Sequence, residues 1–138
     1  MGVAMRGYVA AFFGYVIVTF ILAFVWHLVL FKPLYDELGM FTRQEPIIAL
    51  GLSSMLIQAA VFSYLFPLVY RDGSPARCGL ILGLLLGAFM GSNAVLAEAG
   101  KNEVTSIPTW IALESAFYLL HGALAGLAVG YLHGRFRF

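Results

Sequence analysis

The dominant pattern along the chain is four long apolar stretches separated by short polar connectors. The stretches cover residues 7–31, 47–70, 78–97 and 110–132. Each reaches the roughly 20 residues that an α-helix needs to cross about 30 Å of hydrocarbon. The alternation of apolar and polar positions that is typical of barrel strands does not occur in them. The pattern therefore predicts an all-α membrane protein, a single domain of 138 residues built as a four-transmembrane-helix bundle.

The ends of the stretches carry ordinary helix signals. The first stretch is too long for the apolar region of a signal peptide and has no small-residue cleavage site after it, so we expect it to be retained. The connector 32–46 leaves room for a short interfacial helix, and the connector 71–77 is a tight turn with Gly and Pro. Ser106 is the expected N-cap of the fourth helix, with Pro108 in its first turn.

Composition supports a lipid environment. The chain is 62% hydrophobic and 11% charged, whereas soluble domains carry about 25% charged residues. The formal net charge of +1 gives no reason to expect a nucleic-acid partner. The single Cys78 excludes an internal disulfide and a CxxC pair, and with them the quinone-linked thiol oxidoreductases of four-helix design.

The distribution of Lys and Arg predicts the orientation, because cytoplasmic loops of membrane proteins are enriched in these residues. The side that holds both termini and the 71–77 turn carries Arg6, Arg71, Arg77, Arg135 and Arg137. The opposite side carries Lys32, Arg43 and Lys101 among the acidic residues Asp36, Glu37, Glu45, Glu98 and Glu103. Both termini are therefore expected to be cytoplasmic.

The third and fourth spans each contain a glycine at every fourth position. These glycines are Gly79, Gly83, Gly87 and Gly91 in the third span and Gly122, Gly126, Gly130 and Gly134 in the fourth. Residues four apart share one helix face, and glycine there lets a neighbouring backbone approach closely. The two glycine zippers predict either packing of the third helix on the fourth or a stripe that receives a helix from another protomer or subunit.

A few polar side chains lie within the spans, at two matched depths. His27, Asn93 and Glu114 each lie four residues from the non-cytoplasmic end of a span, and Gln58 and His121 each lie eleven residues in. At about 1.5 Å per residue, these layers are about 6 Å and 16 Å deep. Such residues are costly in lipid and normally face the bundle interior or a cavity.

The outer layer has several interpretations. A Glu114 carboxylate near His27 can form an ion pair. The cluster can serve only to fix the register of the helices, or it can line a water-filled or ligand-binding pocket. Two ligands are too few for a metal site without outside help. The different depths of His27 and His121 disfavour a bis-histidine haem, so we expect neither a metal nor another cofactor.

The fourth helix is predicted to have two faces unsuited to lipid. Glu114 and His121 are seven residues apart and share one face, roughly opposite the glycine stripe. We therefore expect this helix to be the most buried one, or to lie at a subunit contact.

Three segments resemble a known family. They are the residues 27–35, HLVLFKPLY; the residues 54–58, SMLIQ; and the residues 105–110, TSIPTW, leading to Glu114. They look like a family of small, uncharacterised four-span proteins of bacterial inner membranes, a domain of unknown function. The resemblance implies a multi-pass protein of the bacterial inner (cytoplasmic) membrane. Small multidrug transporters share the size, but they place a carboxylate in their first helix, and this first helix has none.

The leading functional hypothesis is a non-enzymatic structural or accessory subunit, or a helix-packed oligomer, held by the glycine-zipper helices. Its partners would be the lipid bilayer and another membrane subunit or a second copy. The alternative is a small-ligand or proton-coupled transport or binding protein that uses the His27, Asn93 and Glu114 layer, with Gln58 and His121 deeper. A membrane enzyme ranks third, since neither a nucleophile–base pair nor a metal-ligand set is recognisable.

Overall fold

The computed structural model describes residues 2–136, with side chains from residue 5 onward. Within that range the chain is all-helical. Helix α1 covers Gly2–Phe24 and continues as a π-helical turn, Val25–Leu30; α2 covers Lys32–Leu38 and α3 covers Ile48–Val69. Helix α4 covers Pro75–Gly91 and continues as a second π-helical turn, Ser92–Ala97, and α5 covers Ile107–Arg135. The 4 long helices are apolar enough to cross a membrane, which is the architecture of a multi-pass membrane protein.

The helices extend beyond the apolar stretches where the flanking residues supply helix-start signals. The N-cap of α5 is Ser106, whose hydroxyl accepts from the Thr109 N–H, and this prediction is confirmed. Ser74 caps α4 in the same way by accepting from Arg77 N–H at 3.3 Å. In both helices a proline follows the cap, at a position where its missing N–H leaves no helical bond unmade.

The four long helices are arranged in an open row. Helix α4 packs mainly on α5, α5 also packs on α1, and α1 packs on α3. Helices α3 and α4 are joined by a short turn and yet scarcely touch among the described residues. Helix α5 has the largest buried share of the four, as predicted from its two non-lipid faces.

The contact between α4 and α5 is a contact between glycine backbones. A Cβ atom added to Gly83 would lie 2.0 Å from the Gly122 carbonyl oxygen, and one added to Gly79 would lie 2.1 Å from that of Gly126. Both distances are far below a van der Waals contact, so only glycine is compatible with this separation of the helices. The two glycine faces therefore pack against each other within the same chain.

The short helix α2 covers one end of the molecule. Its Tyr35 and Leu38 side chains are only 2% and 1% exposed, so its inner face belongs to the core. The helix ends where Gly39 adopts a left-handed φ of 73°. Thr105 holds the connector before α5 against α2. Its N–H donates to Leu38 O at 3.2 Å, and its hydroxyl donates to Glu37 O at 3.1 Å.

Candidate functional site

The centre of the candidate site is the carboxyl group of Glu114, on the side of α5 that meets His27 and Tyr35. The Glu114 side chain is 6% exposed, and His27 Nε2 lies 3.4 Å from its Oε1 atom. The Tyr35 hydroxyl donates a hydrogen bond to the same oxygen. The structure thus brings together two residues that the sequence placed at equal depth and adds a third from the connector between the first two spans.

The π-helical turn at the end of α1 sets the position of the His27 ring. Within this turn the Phe31 N–H reaches the Trp26 carbonyl, five residues back, at 3.0 Å. Such a turn accommodates one additional residue and rotates the side chains around it, and π turns are frequent at functional sites. His27 Nδ1 lies 3.0 Å from the Ala23 carbonyl oxygen. Because a carbonyl only accepts, Nδ1 carries the proton and Nε2 is the atom presented to Glu114.

A directed chain of hydrogen bonds ends on the same carboxylate. Trp26 Nε1 donates to the Tyr35 hydroxyl at 3.0 Å, and that hydroxyl donates to Glu114. Burial raises the pKa of the Tyr35 hydroxyl, and its hydrogen bond to Glu114 raises that pKa further. Tyr35 consequently keeps its proton and acts as the donor in its hydrogen bond to Glu114.

Glu114 also lines a cavity of about 390 Å³, which we name the Glu114 pocket. Its walls include His27, Phe41, Trp110, Glu114, Phe117 and Tyr118. Both polar contacts of Glu114 converge on Oε1, and Oε2 receives no hydrogen bond from the described residues 2–136. One carboxylate oxygen is therefore held in place, and the other is free for a bound molecule.

The mouth of the Glu114 pocket lies at the connector that follows α4. Glu98 and Asn102 line it, and Lys101 Nζ lies 2.6 Å from Glu98 Oε1. The Lys101 ammonium holds the pKa of the Glu98 carboxyl below its usual range. The ring of Phe41 packs over the other side of the pocket, with its centroid 5.3 Å from that of Tyr35 and 6.0 Å from that of Trp110.

Asn93 does not join this cluster. It lies in the π-helical turn of α4 with an exposed side chain, and among the described residues it contacts neither His27 nor Glu114. At this level α4 turns Val95 inward, and the Val95 carbonyl accepts from Trp110 Nε1 at 3.0 Å. Equal depth brought the residues to one level, but the rotation of α4 decided which of them faces the site.

The two deeper polar residues each pair with α1 rather than with each other. Tyr15 OH donates to Gln58 Oε1 at 2.8 Å, and Thr19 Oγ1 lies 2.8 Å from His121 Nε2. Gln58 and His121 both line a second cavity, of about 220 Å³, in the gap between α3 and α4. The polar face of α5 is thus covered mainly by α1 and, at the end, by α2.

Sequence reasoning missed the partners on α1 and α2. A usable signal existed on α1, because Tyr15, Thr19 and His27 recur at multiples of four residues and therefore share one face. Tyr35 carried no comparable signal, since it lies in a polar connector where nothing in the pattern indicates burial. Its role depends on α2 folding back over the end of the molecule.

Among the described residues, no group of three or more His, Cys, Asp or Glu side chains is arranged to hold a metal ion. Comparisons of the chain with protein-family models, with curated proteins and with solved structures find no match. The site is therefore interpreted from its own geometry: a buried carboxylate with one oxygen fixed by Tyr35 and His27, beside a cavity with aromatic walls.

Proposed function

We propose that the protein is a multi-pass membrane protein that binds a small ligand in the Glu114 pocket. One observation carries this proposal. The carboxylate of Glu114 is fixed through Oε1, while Oε2 has no hydrogen-bond partner in the described residues and the side chain lines a cavity of about 390 Å³. Pre-positioned polar groups in a largely apolar cavity are typical of small-molecule sites.

The energetics of polar groups in membranes favour this role over a purely structural one. A cluster that only fixes helix register gains most when every buried polar atom has a partner. In Glu114 only Oε1 has hydrogen-bond or ion-pair partners among the described residues, and the side chain borders a cavity from which a ligand can reach Oε2. Ionisable residues of membrane spans that border cavities commonly belong to substrate, ion or proton pathways.

The contact between His27 and Glu114 also offers a route to proton coupling. With Nδ1 committed to the Ala23 carbonyl, Nε2 meets Glu114 either as a donor in an ion pair or as the acceptor of a carboxylic acid proton. A ligand that donates to Oε2 acts on the same carboxyl group whose Oε1 contacts His27. Ligand binding would then be coupled to the position of the proton between His27 and Glu114, which a proton-coupled transport or binding protein requires.

We place the protein in the bacterial inner membrane with both termini in the cytoplasm. The excess of arginine near the termini and in the turn before α4 supports this orientation. The resemblance to small bacterial four-span proteins supports the location in the bacterial inner membrane. The Glu114 pocket would then open to the non-cytoplasmic side, because it lies beside the connectors that follow α2 and α4.

The binding proposal is testable without an engineered label. The chain has 2 tryptophans, and both belong to the site: Trp110 lines the pocket and Trp26 donates to Tyr35. We expect their fluorescence in detergent to change with saturation when a panel of small amines, alcohols, carboxylic acids and amino acids is titrated. The Glu114→Gln variant should lose the response, and Glu45→Gln, in an exposed connector, should keep it. If no compound of the panel gives a saturable response, the proposal is wrong.

A second candidate is the accessory-subunit or oligomer function, and the position of α3 favours it. The half of α3 from Ile48 to Leu56 is almost entirely exposed, although it contains the small and polar residues Gly51, Ser53 and Ser54. In membranes such residues commonly lie at contacts between helices. Because the glycines of α4 and α5 already face each other, a further subunit would use this half of α3.

Mass measurement in a mild detergent tests the second candidate. If α3 is a subunit contact, the purified protein should be larger than a monomer, or should carry a stoichiometric partner. Replacing Ser53 with Leu should then release the monomer, because the larger side chain separates the contacting helices. A wild-type protein that is monomeric in native nanodiscs would rule out this function.

A further inference from the structure

We infer that the ligand of the Glu114 pocket is a small organic cation, an amine or a quaternary ammonium group. This inference rests on the proposed binding function and adds the chemical class of the ligand. The cavity combines a fixed carboxylate with aromatic rings on several sides, and that combination recognises a positively charged nitrogen.

The charge of the cavity favours a cation. Glu114 lies in its wall and Glu98 at its mouth, whereas no lysine or arginine lines it within the described part of the chain. Lys101 pairs with Glu98 at 2.6 Å, so these two charges offset each other and Glu114 is the carboxyl group left to attract a cation. Among the lining residues, His27 alone can carry a positive charge, and it contacts Oε1 of Glu114, so Oε2 is the oxygen left for a ligand.

The aromatic side chains in the cavity wall come from two parts of the chain: Phe41 from the connector after α2, and Trp110, Phe117 and Tyr118 from α5. They touch one another edge to face, Phe41 with Trp110 at 74° and Phe117 with Tyr118 at 77°. In such a pair, the ring that contributes its edge keeps its own π faces for other contacts. A cation within about 6 Å of a ring centroid is attracted by the π face, most strongly where water is excluded.

His27 shows how these surroundings accommodate a ring that can be charged. Its imidazole lies between Phe117, at a centroid distance of 4.5 Å, and Tyr35, at 4.8 Å, and its Nε2 atom lies 3.4 Å from Glu114. The cavity wall holds the same kinds of group, the Glu114 carboxyl and the rings of Phe41, Trp110 and Tyr118.

The decisive experiment compares molecules of one shape and different charge. Choline, its neutral carbon isostere 3,3-dimethyl-1-butanol, and the anion 3,3-dimethylbutyrate are titrated against tryptophan fluorescence at constant ionic strength. We expect choline to bind at least about 10-fold more tightly than the neutral compound, because only choline is attracted to the aromatic faces and the carboxylate by its charge. Equal affinity of choline and the neutral isostere, or tighter binding of the anion, would overturn the inference.

A surface variant separates loss of binding from loss of folding. Phe41 is 56% exposed, so Phe41→Leu should leave the fold intact and weaken choline binding roughly 3- to 30-fold. Phe13 is 57% exposed on α1, far from the pocket walls, and Phe13→Leu serves as the matched control with unchanged binding. An unaffected Phe41→Leu variant would contradict an aromatic cation site.

The ammonium group can come from a free amine or from a lipid headgroup, and the same assay distinguishes these sources. Choline affinity is measured in nanodiscs of phosphatidylglycerol with and without phosphatidylethanolamine. Competition by phosphatidylethanolamine identifies the headgroup as the source, and unchanged affinity identifies a free amine; both results require a cation site. Failure of the whole compound panel would instead refute the binding function itself, whereas binding without preference for the cation refutes this inference alone.

Discussion

At the scale of single residues, the Tyr35 hydroxyl connects three parts of the chain. It accepts a hydrogen bond from Trp26 in the π-helical turn, belongs to α2, and donates to Glu114 in α5. The side chain is almost fully buried. Because an unpaired polar atom in such a place costs more than a hydrogen bond contributes, removal of this one oxygen affects both neighbours.

We predict that Tyr35→Phe destabilises the protein by about 1–3 kcal/mol, since the Trp26 N–H loses its acceptor and Glu114 loses a donor. The thermal midpoint in detergent, followed by circular dichroism, measures this change. Tyr64→Phe is the control, because Tyr64 is 64% exposed and its hydroxyl makes no hydrogen bond to another residue in the described range 2–136. Equal midpoints for the two variants would mean that the Tyr35 hydroxyl has no stabilising role.

The same residue marks the limit of what the sequence could predict about the site. Equal depth in two spans indicated that His27 and Glu114 could meet, because both lie four residues from the same membrane surface. Depth says nothing about rotation, which is why Asn93 belongs to the same layer and yet faces outward. Tyr35 was beyond prediction, since a connector has no periodicity from which burial can be derived.

At the scale of elements, the distance between α4 and α5 follows from the missing side chains of their glycines. The backbone of α4 lies so close that a Cβ on Gly83 would meet the Gly122 carbonyl oxygen at 2.0 Å. With little hydrophobic driving force between helices in lipid, such close packing is a main source of their association. The repeat of four residues predicted these faces, and the structure shows that they meet each other.

We predict that Gly83→Leu destabilises the protein by at least about 1–3 kcal/mol, because the added side chain forces the two backbones apart. Gly51→Leu is the matched control: a Cβ there meets nothing within 4 Å. Thermal midpoints are compared in a detergent in which the wild type is monomeric, so that contacts between chains play no part. A tolerated Gly83→Leu would show that the helices do not pack as closely as described.

At the scale of the whole molecule, the order of the helices explains where the cavities lie. Helices α5 and α1 occupy the middle of the row, and they supply the polar pairs that face each other. The separation of α3 from α4 opens the second cavity, and α2 covers the Glu114 end. The apolar pattern predicted four helices but not this order, because lipid-facing and helix-facing apolar residues look alike in a sequence.

The orientation of this row decides which compartment supplies a ligand to the Glu114 pocket. The arginines of the turn before α4 lie at the end opposite the pocket mouth, where Glu98 and Asn102 are found. Since Lys and Arg are retained on the cytoplasmic side, we expect the mouth to face outward.

In a Cys78→Ser background, a membrane-impermeant maleimide should label Glu103→Cys in intact cells, because residue 103 is exposed in the connector beside the mouth. The Asp72→Cys variant, exposed in the opposite turn, should react only after permeabilisation. The reverse pattern of labelling would place the mouth in the cytoplasm, and the ligand would then be a metabolite of the cell interior rather than a molecule arriving from outside.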